Sequence, residues 1–298
     1  MFAAVDNSLS VVARGYAVAT ARPVDSLSRL QFWIDTLGDR PITDISADDV
    51  DMALAALAKR GRMRPVRNGQ PVATGQPLAP SSITRYAGEL AGIYKFARKQ
   101  RLIPRSFIPP TRGLESPQSP LKTDFISPEQ KDRLVAVARS IDRRWGRMPA
   151  LIEVAFSSGW RAGNLKALRW ADVDLDTGFI SASTSKTGRA LTTPISSAAV
   201  AELRKLPGRA AGGTLVFSNR SGRAFHWRAL WLRTTTLAHM KGCNFHLLRH
   251  GCASTLAAAG AGQAQLMAHM GHSTLAASRR YMHADLAAQA SLSRRVFG

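Results

Sequence analysis

The residue types best suited to chemistry are concentrated near the end of the chain, between positions 243 and 283. His246, Arg249 and His250 are three and four positions apart, so a helix through them would place all three on one face. Tyr281 is the only tyrosine after Tyr94 and lies near this group in sequence. Imidazoles and guanidinium groups bind phosphate oxygens, and a phenol can act as a nucleophile. The combination indicates chemistry on a phosphodiester rather than on a carbonyl group.

Several motifs in this part of the chain resemble those of the tyrosine recombinases, the phage integrase family. Three features resemble the family's C-terminal box: H-L-L-R-H (246–250), G-H-S (271–273), and Tyr281, which lies nine residues after His272. S-S-G-W-R-A-G-N-L-K-A-L-R-W-A-D-V-D (157–174) resembles its first-arginine box, and S-T-S-K-T-G-R-A-L-T-T-P-I (183–195) its β-hairpin lysine segment. One short motif is weak support, whereas several in the right order are strong. By motif, the resemblance covers about residues 127–283.

The resemblance implies a catalytic site of six residues: Arg161, Lys186, His246, Arg249, His272 and Tyr281. Tyr281 would be the nucleophile, and the two arginines would clamp the phosphate because a guanidinium presents a planar fork to two oxygens. Lys186 would protonate the departing 5′-oxygen. The two histidines would donate hydrogen bonds to the phosphate or carry the tyrosyl proton. No metal ion or other cofactor is expected.

One position departs from the family pattern. Relatives commonly carry an acidic residue three positions after the first arginine, whereas this chain has Asn164. An asparagine can still form hydrogen bonds, so we expect altered fine tuning rather than lost activity. The other histidines are interpreted as structural or supporting groups (His239, His250, His269 and His283), and no role is assigned to His226.

The charge of the chain indicates a polyanionic partner. The net charge is +21 over 298 residues, and nucleic acid is the leading candidate for such a balance. Residues 59–114 carry twelve basic side chains and one acidic one, and residues 177–298 carry fifteen and two. Two separate basic blocks fit a protein that closes on duplex DNA, although a basic surface can also serve solubility alone.

Cysteine usage and apolar patterning bear on the compartment. Cys243 and Cys252 are the only cysteines, too few for a disulfide framework. The start, M-F-A-A-V-D, lacks a basic segment and Asp6 interrupts its apolar run, so no secretory signal is predicted. No stretch approaches the roughly 18 apolar residues needed to cross a bilayer. We therefore expect a soluble cytoplasmic protein with no membrane partner.

A zinc site is the metal-binding alternative. Its ligands would be Cys243, His246, His250 and Cys252. The spacing lacks a paired C-x-x-C and a metalloprotease glutamate, so the recombinase interpretation is preferred.

The fold is predicted to be mainly α with a small antiparallel β-sheet. Residues 60–80, rich in Pro, Gly and basic residues, are predicted to be a loop, and residues 178–195 a β-hairpin with Lys186 near its tip. Helices are predicted near 25–37, 46–58, 81–99, 127 onwards, 148–158, 161–168, 197–205, 225–240, 245–258, 262–270, 274–282 and 286–293.

The domain organisation follows from composition and resemblance together. Residues 1–22 are weakly patterned and are predicted to be an N-terminal extension. Residues 107–123 contain four prolines and no periodicity, as is typical of a linker. The resemblance implies a helical, SAM-like core-binding domain at 23–106 and a recombinase catalytic domain at 124–298.

The resemblance implies site-specific DNA recombination through a 3′-phosphotyrosyl intermediate, as in compact two-domain, Xer-like members. Double-stranded DNA would be the substrate, bound by a homotetramer, with accessory DNA-bending proteins as further partners. A type IB topoisomerase uses the same kind of nucleophile and is one alternative. A catalytically inactive DNA-binding protein is another, although the intact set of six residues argues against it.

Overall fold

The computed structural model describes residues 6–21, 23–66, 69–114, 124–182, 190–207 and 212–271, with the single residues 274 and 294. Three predicted site residues, Lys186, His272 and Tyr281, lie outside the described residues, as do the helices predicted at 274–282 and 286–293. The chain divides into two compact units, residues 1–121 and 122–298. Among the described helices, none combines the length and the apolar character needed to cross a membrane.

Among its described residues, the first unit contains four helices and a two-stranded antiparallel sheet: α1 (Leu9–Ala19), α2 (Val24–Leu37), α3 (Ala47–Arg60), β1 (Met63–Val66), β2 (Gly69–Ala73) and α4 (Pro80–Lys99). A capping box begins α3: Ser46 accepts from the backbone N–H of Asp49, and the carboxylate of Asp49 accepts from the backbone N–H of Ser46. These two bonds satisfy donors that the start of α3 would otherwise leave unpaired.

Buried aromatic side chains with paired polar atoms hold the helices of the first unit together. The indole of Trp33 is fully buried and donates to the carbonyl of Tyr86 at 2.8 Å. The hydroxyl of Tyr94 donates to the carbonyl of Ile42 at 2.9 Å, and its ring stacks on Phe107 at 6.0 Å. Phe107 belongs to the segment predicted as a linker, so the beginning of that segment packs on the first unit.

The structure differs from the sequence-based expectation at two places in this unit. Residues 1–22 were expected to carry no element, yet α1 buries Leu9, Val12, Ala13 and Tyr16, whose spacing is helical. Residues 60–80 were expected to be a loop, yet they contain β1 and β2. Pro65 and Pro71 led to the prediction of a loop, because proline is uncommon in strands. Proline is nevertheless tolerated in edge strands, and both strands of a two-stranded sheet are edge strands.

The second unit carries a three-stranded antiparallel sheet and seven helices among its described residues. They are α5 (Pro128–Ile141), α6 (Arg147–Ser158), α7 (Ala162–Ala167), β3 (Val173–Asp174), β4 (Phe179–Ala182), β5 (Leu191–Pro194), α8 (Ser197–Arg204), α9 (Arg228–Leu237), α10 (Leu247–Ala258) and α11 (Gln263–Met270). The prediction of a mainly helical fold with a small antiparallel sheet is confirmed, as are the strands that flank 183–189.

Helix α6 forms the centre of the second unit, because nearly all of its residues are buried and it contacts α5, α8 and α10. Gly251 allows α10 to pack closely on the chain just before α5, since a Cβ there would lie 2.2 Å from the carbonyl oxygen of Ile126. The buried carboxylate of Glu153 is paired with the ammonium of Lys131 at 3.0 Å, as a charge in the interior requires. The end of α6 is thereby held firmly where the chain turns toward Arg161.

Candidate functional site

Arg161 lies just beyond the tight turn that ends α6. Gly159 makes this turn with a φ of +63°, and a Cβ there would lie 2.4 Å from the Sδ atom of Met270. Arg161 itself is the N-cap residue of α7. Its side chain is half-buried and forms no hydrogen bond or ion pair with any residue that the structure describes.

Arg249, in the first turn of α10, contacts the turn that follows α6. Its side chain is 5% exposed, and its Nη1 donates to the carbonyl of Gly159 at 2.5 Å. His246 is the N-cap residue of α10 and is exposed, with its ring 4.9 Å from that of His250 in a T-shaped arrangement. The structure thus brings the backbone carrying Arg161 together with Arg249, one helical turn from His246.

A hydrogen-bonded network ties α11 and β5 to this turn. The Nε2 atom of His269, on α11, lies 2.8 Å from the carbonyl oxygen of Ser157, at the end of α6. Thr193, on β5, accepts from the indole N–H of Trp160 at 2.8 Å and donates to the carbonyl of His269 at 3.3 Å. The sequence predicted a supporting role for His269, but nothing in it indicated its partners or the roles of Thr193 and Trp160.

Close packing also positions the residue before His272 and the strand that follows Lys186, although His272 and Lys186 themselves lie outside the described part. Gly271 directly precedes His272 and has a φ of +60°, and a Cβ there would lie 2.8 Å from Leu191 Cδ2. Leu191 begins β5, five residues after Lys186. The chain segments that lead to His272 and away from Lys186 therefore meet beside the turn that carries Arg161.

Burial sets the protonation of two groups beside the turn. Burial lowers the pKa of His269 and the charge of Arg249 lowers it further, although the hydrogen bond to Ser157 opposes this shift. Burial raises the pKa of Cys252 to about 12, so this thiol stays protonated and is not a nucleophile at neutral pH. His269 is then neutral at pH 7, and its Nε2–H is the donor to the carbonyl.

His269 should make the stability of this unit depend on pH. Because its pKa is lower in the folded chain than in the unfolded chain, the unfolded chain binds the extra proton below a pH of about 6.5, and folding weakens as pH falls through this range. We expect His269→Gln, which keeps a donor but does not titrate, to lose less unfolding free energy than the wild type between about pH 7 and pH 5.5. Denaturant titrations at both values measure this, and equal losses would contradict it.

The zinc alternative finds no support in the geometry. No group of three or more His, Cys, Asp or Glu side chains within the described residues is arranged to hold a metal ion. The thiol of Cys252 instead contacts the carbonyl of Ser157 at 3.5 Å, which directs it away from a ligand set with Cys243.

Asn164 occupies the position at which relatives commonly carry an acid. Its side chain is half-buried, and its backbone N–H donates to the carbonyl of Arg161 at 2.9 Å in the first turn of α7. Its backbone role is thus independent of the side chain. The predicted effect of the missing acid on fine tuning stays a prediction.

Comparisons of the sequence with known proteins identify its relatives. The sequence model of the "Phage integrase family" matches residues 124–287. The tyrosine recombinase XerC of Xanthomonas campestris pv. campestris is 30% identical over 268 residues, which are 87% of this chain and 76% of the relative. XerC of Xylella fastidiosa (strain 9a5c) is 31% identical over 215 residues, 70% of this chain and 71% of the relative.

Solved structures share the fold at low sequence identity. The Tn1549 transposon integrase in complex with transposon right end DNA matches with a TM-score of 0.71 at 14% identity, over 98% of this chain and 100% of that one. The XerH site-specific recombinase bound to a palindromic difH substrate matches with a TM-score of 0.67 at 15% identity, over 96% and 84%. The arrangement of helices and strands is therefore held in common with these proteins.

Proposed function

Because the chain belongs to the phage integrase family and is a tyrosine-type site-specific DNA recombinase, we propose that it cuts and rejoins duplex DNA through a 3′-phosphotyrosyl intermediate on Tyr281. The observation that supports this site best is the bond from Arg249 to the carbonyl of Gly159, which places its guanidinium beside the turn that presents Arg161. Two guanidinium groups that meet at one phosphate would form a clamp on its oxygens.

In the proposed reaction, the Tyr281 oxygen attacks the phosphorus and forms a new P–O bond. The bond from phosphorus to the 5′-oxygen breaks, and the leaving 5′-alkoxide takes up a proton to become a hydroxyl. The phenol gives up its own proton, and since the free pKa of a tyrosine is about 10, a neighbouring base must accept it. Attack by a 5′-hydroxyl of the partner strand reverses these steps, which rejoins the DNA and releases the tyrosine.

Charge on the non-bridging oxygens grows as the tyrosine attacks. Arg161 and Arg249 would stabilise that charge, the contribution that is usually the largest in such a reaction. Arg249 is preorganised because its side chain is buried and bonded to Gly159, so little rearrangement is needed when DNA binds. His246, exposed one helical turn away, would donate to the same phosphate together with His272.

Lys186 would act as the general acid for the leaving oxygen. We expect Lys186→Ala to slow cleavage of ordinary DNA by about 10²–10⁴-fold, the usual range for general acid catalysis. A 5′-bridging phosphorothiolate departs as a thiolate that needs no proton, so the same variant should cleave that substrate at nearly the wild-type rate.

Rates of cleavage on the two substrates measure the rescue of Lys186→Ala. Arg161→Ala is the control, because it removes phosphate stabilisation and should stay slow on both. Equal defects of Lys186→Ala on both substrates would show that the lysine positions the DNA and would move the acid role to another group, with His246 the next candidate.

The first unit fits the proposed core-binding domain at 23–106. It presents exposed basic side chains just before β1, on β1 and on α4, which suit contact with the DNA backbone: Arg62, Arg64, Arg85, Lys95 and Arg98. By analogy with relatives we propose a homotetramer as the assembly that exchanges strands, with the C-terminal residues 285–298 packing on a neighbouring subunit. Accessory DNA-bending proteins would be further partners.

Trapping on a nicked substrate tests the proposed activity. A duplex with a nick just 3′ of the cleavage point loses its short 5′-hydroxyl fragment after attack, so the covalent complex cannot reverse. With element-end DNA of this kind, we expect an adduct that survives denaturing gels and forms equally well in excess EDTA, because cationic side chains replace the metal ions of other phosphoryl-transfer sites. Strict dependence of cleavage on a divalent ion would overturn the mechanism.

A further inference from the structure

Three arginines surround Trp145, which lies in the turn between α5 and α6. The guanidinium carbons of Arg147, Arg144 and Arg220 lie 4.6, 5.4 and 5.6 Å from the centroid of the Trp145 ring. Such distances are those of cation–π contacts. We call these four residues the Trp145 cluster.

Further contacts fix the cluster in place. The guanidinium of Arg147 also lies 4.9 Å from the centroid of Phe225 and donates to the carbonyl of Ser218. Arg147 is half-buried, whereas Arg144 and Arg220 are exposed. The cluster therefore joins the start of α6 to the 218–225 turn and presents two of its three guanidinium groups to solvent.

Within the described residues, no ion pair neutralises the arginines of the Trp145 cluster. No carboxylate of the described residues forms an ion pair with any of the three arginines. The carboxylate of Asp142 attracts Arg147 but already accepts from the backbone N–H of Met148 at 2.8 Å. Burial lowers the pKa of Arg147, and Arg220 lowers it further, as expected for like charges held close together. A bound anion would offset this repulsion.

The Trp145 cluster is separate from the proposed catalytic phosphate site. It lies at the N-terminal end of α6, whereas Gly159 and Arg161 follow its C-terminal end. The helix has 12 residues, so the two ends are about 18 Å apart. The first turn of α6 contains no acidic residue, and the positive end of its helix dipole adds to the local potential.

We propose that the Trp145 cluster is a second phosphate-binding site. It would bind the DNA backbone at a phosphate other than the scissile one. The choice of DNA as the polyanion rests on the proposed function. A separation of about 18 Å is about half of the roughly 34 Å repeat of B-DNA, so one duplex is long enough to reach both sites. Contact with an indole restricts the orientations of a guanidinium group, and a guanidinium group presents a planar fork of N–H donors that suits phosphate oxygens.

The salt dependence of DNA binding tests this proposal. Binding of a labelled 30-base-pair duplex of random sequence is measured by fluorescence anisotropy over a series of salt concentrations, with every variant made in the Tyr281→Phe chain so that cleavage plays no part. Each phosphate contact contributes about 0.9 to the slope of log K against log salt. We expect Arg220→Ala and Arg144→Ala each to reduce the slope by about this amount.

Two comparisons separate an organised site from bulk charge. Arg133→Ala removes an exposed arginine of α5 that has no aromatic contact among the described residues, and it should leave the slope unchanged. Trp145→Leu keeps every charge but removes the ring, and it should weaken binding by about 2–5-fold for each cation–π contact that it loses.

Unchanged slopes for Arg220→Ala and Arg144→Ala would overturn the proposal. A drop for Arg133→Ala equal to theirs would also overturn it. A wild-type chain that bound DNA but formed no adduct would contradict the proposed function while leaving this result standing.

Discussion

Tyr281→Phe is expected to abolish covalent capture of DNA while leaving DNA affinity close to that of the wild type. The substitution removes only the oxygen that attacks the phosphorus, so no other group can form the linkage. The two thiols are poor substitutes, because burial raises the pKa of both Cys243 and Cys252. Denaturing gels with a nicked substrate measure the adduct, and fluorescence anisotropy measures the affinity.

Tyr86→Phe provides the matched control for this loss. Tyr86 is a half-buried tyrosine of α4 whose ring packs edge-on against Phe32 at 5.2 Å. The same change of hydroxyl to hydrogen should there leave adduct formation intact. Adduct formation by the Tyr281→Phe chain at a rate near that of the wild type would assign the nucleophile elsewhere.

Replacing Arg249 is expected to lower the cleavage rate by at least about 10²-fold, and lysine should restore little of it. Arg249 gives Nη1 to the carbonyl of Gly159, and in the proposed mechanism its guanidinium also contacts the phosphate. An ammonium is a single point donor without the planar fork, and it cannot meet both acceptors in the same geometry. Single-turnover cleavage rates of Arg249→Ala and Arg249→Lys measure the effect.

The structural bond of Arg249 requires a control for folding. Arg161→Lys serves as the companion variant, because Arg161 makes no bond within the described part of the chain and its replacement should not affect stability. Thermal unfolding of both variants separates lost stability from lost catalysis. Near-normal cleavage by Arg249→Lys and Arg161→Lys would mean that the two arginines act only as bulk positive charge.

Local signals in the sequence predicted most of the helices and their starts. The capping boxes at Ser46 and Ser127 depend on residues three positions apart, so both could be recognised without knowledge of the fold. The buried residues of helix α1 are spaced at helical intervals, but the alanines and serine of this segment weaken its apolar pattern in the sequence. The strands β1 and β2 were missed because their prolines are typical of loops.

The contacts that hold the site together could not be read from the sequence. Arg249 and Gly159 are 90 positions apart, and His269 and Ser157 are 112 apart. Thr193 has no motif of its own, yet it contacts both Trp160 and His269. Pairings of this kind depend on how α6, α10, α11 and β5 pack, whereas the catalytic residue types follow from the motifs alone.

The most direct test of the mechanism is to locate the protein end of the covalent bond. The complex trapped on a nicked substrate in EDTA is digested with trypsin and nuclease, and the nucleotide-bearing peptide is identified by mass spectrometry. The proposed mechanism predicts one modified peptide, Tyr281-Met-His-Ala-Asp-Leu and onward, with the nucleotide on Tyr281 through its 3′-phosphate. A nucleotide linked to any other residue, or linked through its 5′-phosphate, would contradict it.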